Sequence, residues 1–155
     1  MPRVRDLLVR KSARGVPTAI VSTTPDATVL EAARLMTARG IGGLLVLAGD
    51  AAADPAPLVG IFTERDILRR VVTEGRDPTT TRVRDVMTSP VLTVAPDTYV
   101  KECRAIFTER RIRHLPIVGP QGLVGVVTSG DVLAFEADEQ RAAIEHLESY
   151  VYHGR

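Results

Sequence analysis

The chain repeats itself, and this limits what it can fold into more than any other feature. Residues 21–46 align with residues 92–117 at a constant offset of 71, with 8 identities in 26 positions, including Pro25/Pro96, Asp26/Asp97, Val29/Val100, Arg39/Arg110 and Ile41/Ile112. Residues 58–68 align with 123–133 at an offset of 65, with 6 identities in 11. The offset falls by six because one connection is shorter, ten residues at 48–57 against four at 119–122. Length changes of this kind belong in surface turns. The openings match as well, Val4-Arg5-Asp6-Leu7-Leu8 against Val83-Arg84-Asp85-Val86-Met87. One copy is too short to cover both faces of a small sheet, so the two must bury apolar surface together, with approximate twofold symmetry.

Each copy reads β-α-β-β-α. A short β-rich run comes first, at 19–22 and 91–93. A Pro-Asp turn then opens a helix, and Thr28 with Glu31 has capping-box spacing. Val29, Ala32, Leu35 and Met36 form one face of that helix; Val100, Cys103, Ile106 and Phe107 form the matching face of its counterpart. Two apolar strands follow, 44–47 with 58–62 and 115–118 with 123–127. Second helices begin near Glu64 and Ser129. Aromatics make up 4% of the chain and tryptophan is absent, so the core is expected to be aliphatic. The expected fold class is α+β: repeat 1 over 3–75, a polar linker over 76–82, repeat 2 over 83–137 and a helical tail over 138–155. The Ala/Asp/Pro stretch at 51–57 reads as a solvent loop. In the tail, Ile144, Leu147, Tyr150 and Val151 fall on one stripe, which packs either on its own domain or on a second subunit.

Composition excludes several function classes. A net charge of +1 argues against a global pull on nucleic acid or an anionic membrane. A lone cysteine, Cys103, allows no internal disulfide framework and no multi-cysteine metal site, and it falls on an inward helix face opposite Ala32 in the repeat. His146 and His153 form no spaced ligand set, so no metal is expected. The first residues lack the apolar core of a signal peptide, and no run approaches the roughly 20 apolar residues of a membrane span. The expected compartment is the cytoplasm.

The chemistry is concentrated where each repeat ends, at 59–66 (VGIFTERD) and 124–131 (VGVVTSGD). An apolar strand runs into Thr-x-x-Asp and a helix starts. The Thr hydroxyl and the free N–H groups of a first helical turn can donate to a phosphate, and the Asp carboxylate can accept from the vicinal hydroxyls of a ribose. The same pattern is also a plain helix capping box. Its appearance at equivalent ends of both repeats favours the ligand reading.

The Pro-Asp turn, the His-Leu-Pro-Ile-Val strand at 114–118 and the two Gly-x-x-Thr-x-x-Asp endings together resemble a tandem pair of cystathionine-β-synthase-type (CBS) repeats, a Bateman module. The resemblance covers roughly residues 3–137. It implies reversible binding of AMP, ADP or ATP, or of NAD(H), in clefts between the repeats, and a homodimer. By position, one cleft would combine Thr128 and Asp131 with Lys11, Ser12 and Ala13 and with Ile41, Gly42 and Gly43. Asp131 would hold ribose and Thr128 phosphate, with Arg113 and His114 adding cationic contacts. The other would combine Thr63, Arg65 and Asp66 with Met87 and Thr88 and with the backbone from Arg113 to Leu115. The Thr128/Asp131 cleft is favoured because of Arg113 and His114, and occupancy of one or both clefts stays open.

Three function classes follow. The first is a non-catalytic nucleotide-responsive regulatory module that needs no cofactor and signals to a separate partner protein. The second is a ligand-free scaffold for oligomerisation or protein–protein contact, in which Thr-x-x-Asp serves only as a cap. The third, an enzyme, lacks a Gly-rich phosphate loop with Lys, a carboxylate cluster for a metal and any nucleophile beside His114. The basic cluster at 110–114 lacks the interleaved aromatics of a nucleic-acid surface.

Overall fold

Thr28 opens a helix as its spacing from Glu31 predicts. In the computed structural model, which describes residues 1–16, 18–49 and 57–154, its Oγ1 accepts from the Glu31 N–H at 3.1 Å while Glu31 accepts from the Thr28 N–H at 3.0 Å. In chain order the elements are α1 (Val4–Ala13), β1 (Ser22–Thr23), α2 (Val29–Arg39), β2 (Gly43–Leu47), β3 (Leu58–Thr63), α3 (Glu64–Asp66), α4 (Val83–Val86), α5 (Val100–Arg110), β4 (His114–Gly119), β5 (Gly122–Thr128) and α6 (Ser129–His153). α3 passes directly into a π-helical stretch, Ile67–Val72. α2 ends on Gly40 at φ +62°; Arg111, its repeat equivalent, ends α5 at φ +53° and so holds a left-handed conformation that usually falls to glycine.

The strands pair alike in the two copies, with one difference. β1 runs parallel to β2, and β2 antiparallel to β3 with Gly43 opposite Thr63 and Leu45 opposite Ile61. β4 and β5 form a two-stranded sheet. The runs read at 19–22 and 91–93 form later and shorter than expected: Ser22–Thr23 in the first copy, and in the second only a parallel bridge from Val94 to Ile117. Proline explains why the second copy keeps only the bridge. The Leu45 N–H donates to Val21 O at 3.3 Å, but the equivalent residue in the second copy is Pro116, which has no N–H to offer Leu92.

The chain divides into two compact units that cut across the repeats. One contains Met1–Thr18, Val94–Ile117 and Val126–Arg155; the other contains Ala19–Thr93 and Val118–Gly125. In the first, Val4 and Leu7 of α1 are buried with Val100, Cys103, Phe107, Leu115, Ile117 and Val127 of the second repeat. In the other, Val83 and Val86 of α4 are buried with Val29, Ala32, Met36, Leu44 and Phe62 of the first. Each repeat's opening helix therefore completes the core built by the other repeat. α4 is shorter than α1 because Pro90 follows two residues behind Thr88, and Met87 has already turned extended at ψ 159°. The 76–82 linker is ordered by Asp77, whose Oδ1 accepts from the Thr79 N–H and hydroxyl at 2.9 and 2.7 Å. These bonds hold the Asp77 carboxyl below its ordinary pKa.

The helical tail continues the second helix of repeat 2 without a break, because α6 runs for 25 residues from Ser129. No Gly or Pro lies between Asp131 and Gly154, and the stretch is rich in Ala, Glu, Gln, Arg and Leu, which hold a helix well. Its stripe is not packed against the described residues, since Ile144, Leu147, Tyr150 and Val151 are all exposed. Of the 51–57 loop only Pro57 belongs to the described residues.

Candidate nucleotide site

Both Thr-x-x-Asp corners form reciprocal caps. At the end of β5, the Asp131 N–H donates to Thr128 Oγ1 at 3.1 Å and the Thr128 N–H donates to Asp131 Oδ2 at 2.9 Å. At the end of β3, the Asp66 N–H reaches Thr63 Oγ1 at 3.4 Å, while the Thr63 N–H and hydroxyl donate to Asp66 Oδ2 at 3.0 and 3.2 Å. The incoming strand of the same repeat lies alongside each corner. Gly42 O accepts from the Glu64 N–H at 3.1 Å, and Arg113 O accepts from the Ser129 N–H at 3.0 Å. This places Gly42 and Gly43 next to Thr63, and Arg113 with the start of β4, His114 and Leu115, next to Ser129. Ile41, Gly42 and Gly43 belong to the unit that contains Asp66, and Arg113, His114 and Leu115 to the unit that contains Asp131.

The two carboxylates differ in what surrounds them. Asp66 is 5% exposed. Its Oδ1 accepts from the Thr88 hydroxyl at 2.9 Å and lies 3.8 Å from Arg70 Nε, so both oxygens are engaged. The bond to Thr88 reinforces a backbone bridge, in which Ile61 and Thr88 exchange N–H···O bonds of 3.0 and 2.8 Å. Arg70 adds bonds to Val86 O and Met87 O at 3.3 and 2.7 Å. It was not singled out from sequence, although its position four residues after Asp66 places it on the same helical face. Arg65 lies between Thr63 and Asp66 on an exposed turn.

Asp131 is partly open. Its side chain and that of Lys11 are 16% and 15% exposed, and Lys11 Nζ donates to Oδ2 at 2.8 Å. Among the described residues, the bonds to this carboxylate all fall on Oδ2, which leaves Oδ1 as an acceptor. α1 thus delivers the cation, with Ser12 and Ala13 exposed beyond it. It is fastened to α6 by ion pairs from Arg10 to Glu139 and from Arg14 to Asp138, and by the Arg10 guanidinium 4.6 Å from the Phe135 ring centre. An ammonium, an open carboxylate oxygen and the N-terminus of a long helix meet here, a set that suits an anion and a hydroxyl-bearing sugar together.

Cys103 belongs to the core. It is fully buried, and burial, helped by Glu102, pushes its thiol up to about 11. Among the described residues, no cluster of His, Cys, Asp or Glu side chains is placed to hold a metal ion, and no helix is long and apolar enough to cross a membrane.

Known proteins share this architecture. The CBS domain family matches the chain twice, at residues 5–73 and 83–138. The chain is 36% identical over 133 residues to a mitochondrial CBS domain-containing protein of Arabidopsis thaliana, covering 84% of this chain. It spans 63% of the length of that relative and 58% of the length of an uncharacterised protein of Methanopyrus kandleri, less than two thirds in each case. A solved structure of a protein with CBS domains from Burkholderia ambifaria superimposes with a TM-score of 0.79 at 36% identity, over 89% of this chain and 96% of that one. An inosine-5′-monophosphate dehydrogenase of Korarchaeum cryptofilum is 35% identical over 119 residues, which make up 76% of this chain but only 22% of the dehydrogenase. With two family matches in tandem, the paired caps and the shared fold, the chain belongs to the CBS-domain family and is a tandem CBS pair.

Proposed function

We propose that this CBS pair is a non-catalytic regulatory module that binds an adenine nucleotide (AMP, ADP, ATP or NAD(H)) at the Thr128–Asp131 corner and signals its occupancy to a separate protein. The observation that carries the reading is the contrast between the carboxylates. Asp66 is buried with both oxygens engaged, whereas Asp131 keeps one oxygen open beside the Lys11 ammonium. A ribose hydroxyl donates to Asp131 Oδ1, and the phosphate takes up Lys11, with Arg113 and His114 at the neighbouring strand start. Asp66 with Thr88 serves as a structural tie, so one nucleotide binds per chain at this corner. Family membership supports the ligand class. The dehydrogenase matches only over a minor part of its length, so that likeness brings no chemistry with it. Any response transmitted to the partner is bounded by the nucleotide's differential affinity for two states of the module.

Isothermal titration with AMP, ADP, ATP and NADH tests this. Binding should occur with a stoichiometry near one. Asp131→Ala should weaken it by about tenfold or more, since a charge-assisted acceptor is lost. Asp66→Asn should lower stability by about 1–3 kcal/mol, as a buried network loses an acceptor, and leave affinity within about twofold. No heat with any of the four at millimolar concentration would leave the scaffold reading, in which both corners act only as caps.

A further inference from the structure

α6 has two opposite faces. Toward its own unit it sends Val132 and Phe135 into the core, and it sets Asp138 and Glu139 against Arg14 and Arg10 of α1. At 100° per residue, Leu133, Ala137, Gln140, Ile144, Leu147 and Val151 fall within about 40° of one line on the other side. All six are exposed, and the four large apolar ones are between 56% and 71% exposed. Their spacing alternates four and three. That is the narrow seam of a two-stranded coiled coil, not the wider band of a helix resting on a globular core.

The flanking residues select the occupant and its direction. Arg141 and Glu148 border the seam on the same side, about 10 Å apart along the axis, too far to pair within one helix. In an antiparallel pair centred between Ile144 and Leu147, Ile144 faces Leu147 of the second copy. Arg141 then meets Glu148 of that copy, twice by symmetry. On the other border, Ala143 leaves room for the Tyr150 ring. A parallel pair sets Glu148 against Ala143, and both members of its one complementary pairing, Glu136 and Arg141, are already engaged, by Arg104 at 3.5 Å and by Asp138 at 3.9 Å, whereas in the antiparallel pair only Arg141 is. Opposed macrodipoles also favour the antiparallel arrangement. We infer that the distal half of α6 is a self-association surface, and that its occupant is the same helix of a second copy of this chain, packed antiparallel.

Disulfide trapping in the full chain tests the direction. Antiparallel packing sets residue 140 opposite residue 151 of the other copy, so the Gln140→Cys/Val151→Cys double variant should form a covalent dimer on mild oxidation, and neither single variant should. Cys103 is buried and does not interfere. In sedimentation equilibrium, Leu147→Asp should weaken self-association by about tenfold or more, because it places a charge in the seam. Arg141→Glu should weaken it as well, and Arg141→Glu/Glu148→Arg should restore it. The inference is overturned by a wild-type chain that stays monomeric at about 100 µM. Association indifferent to Leu147→Asp, or crosslinking of Gln140→Cys alone as efficient as that of the double variant, overturns it equally.

Discussion

Cys103 shows how much one residue's surroundings decide. From sequence it is a lone thiol on the inner face of a helix, and in the structure it has no exposed surface and a pKa raised to about 11 from 9.0. At pH 8 its thiolate should be about a hundredfold scarcer in the folded chain than in urea, and a disulfide reagent followed by absorbance should react correspondingly slowly until the chain unfolds. The native state holds the proton more tightly than the unfolded chain, so the thiol's contribution to stability is full below pH 9 and is lost as the pH rises toward 11. Rapid native labelling at pH 8 would place the thiol outside the core. Asp66 and Asp131 make the same point: the motif is identical, yet one carboxylate is closed off by Thr88 and Arg70 and the other pairs with Lys11. The motif was legible in sequence. The partners were not, because Lys11 and Asp131 are 120 residues apart in the chain.

Among the elements, β3 and the turn that follows α4 are held together more tightly than their short lengths imply. A Cβ added to Gly60 would lie 2.4 Å from Met87 Sδ and 3.2 Å from the Thr88 carbonyl. The Met side chain can move, but the Thr88 backbone is fixed by its bridge to Ile61. Gly60→Ala should therefore cost about 1–3 kcal/mol in urea unfolding, by overpacking. Met87→Ala in the same chain should return part of that, since it removes the nearer atom. If Gly60→Ala unfolds at the wild-type midpoint, β3 and the turn after α4 do not approach this closely. Helix positions and faces were readable at this scale because caps and 3.6-residue periodicity act over three or four residues. The weak first strand of the second repeat was not, because it turns on the missing N–H of Pro116 across the sheet.

At the scale of the molecule, the exchange of opening helices makes each repeat depend on the other. A fragment limited to residues 83–155 lacks Val4 and Leu7, both buried in the core it must build, and a fragment limited to 1–75 lacks Val83 and Val86. Vacating two such positions costs several kcal/mol, about 2–5 for each large side chain removed, against a total stability of about 5–15. Each half should be largely unfolded alone by circular dichroism and should regain native signal when the halves are mixed. A half that melts cooperatively by itself would show that the exchanged helix is dispensable.

The sequence by itself determined the duplication, the order of helices and strands, the apolar faces of α2 and α5 and the two capped corners, because each depends on neighbours a few residues apart or on comparison of one copy with the other. Tertiary structure decided which core each opening helix completes, which of two identical motifs is closed off by Thr88 and Arg70 and which pairs with Lys11, and that the stripe on α6 stays exposed. Those outcomes depend on groups brought together from distant parts of the chain, where burial and competition for hydrogen-bond partners act on residues that no local pattern connects.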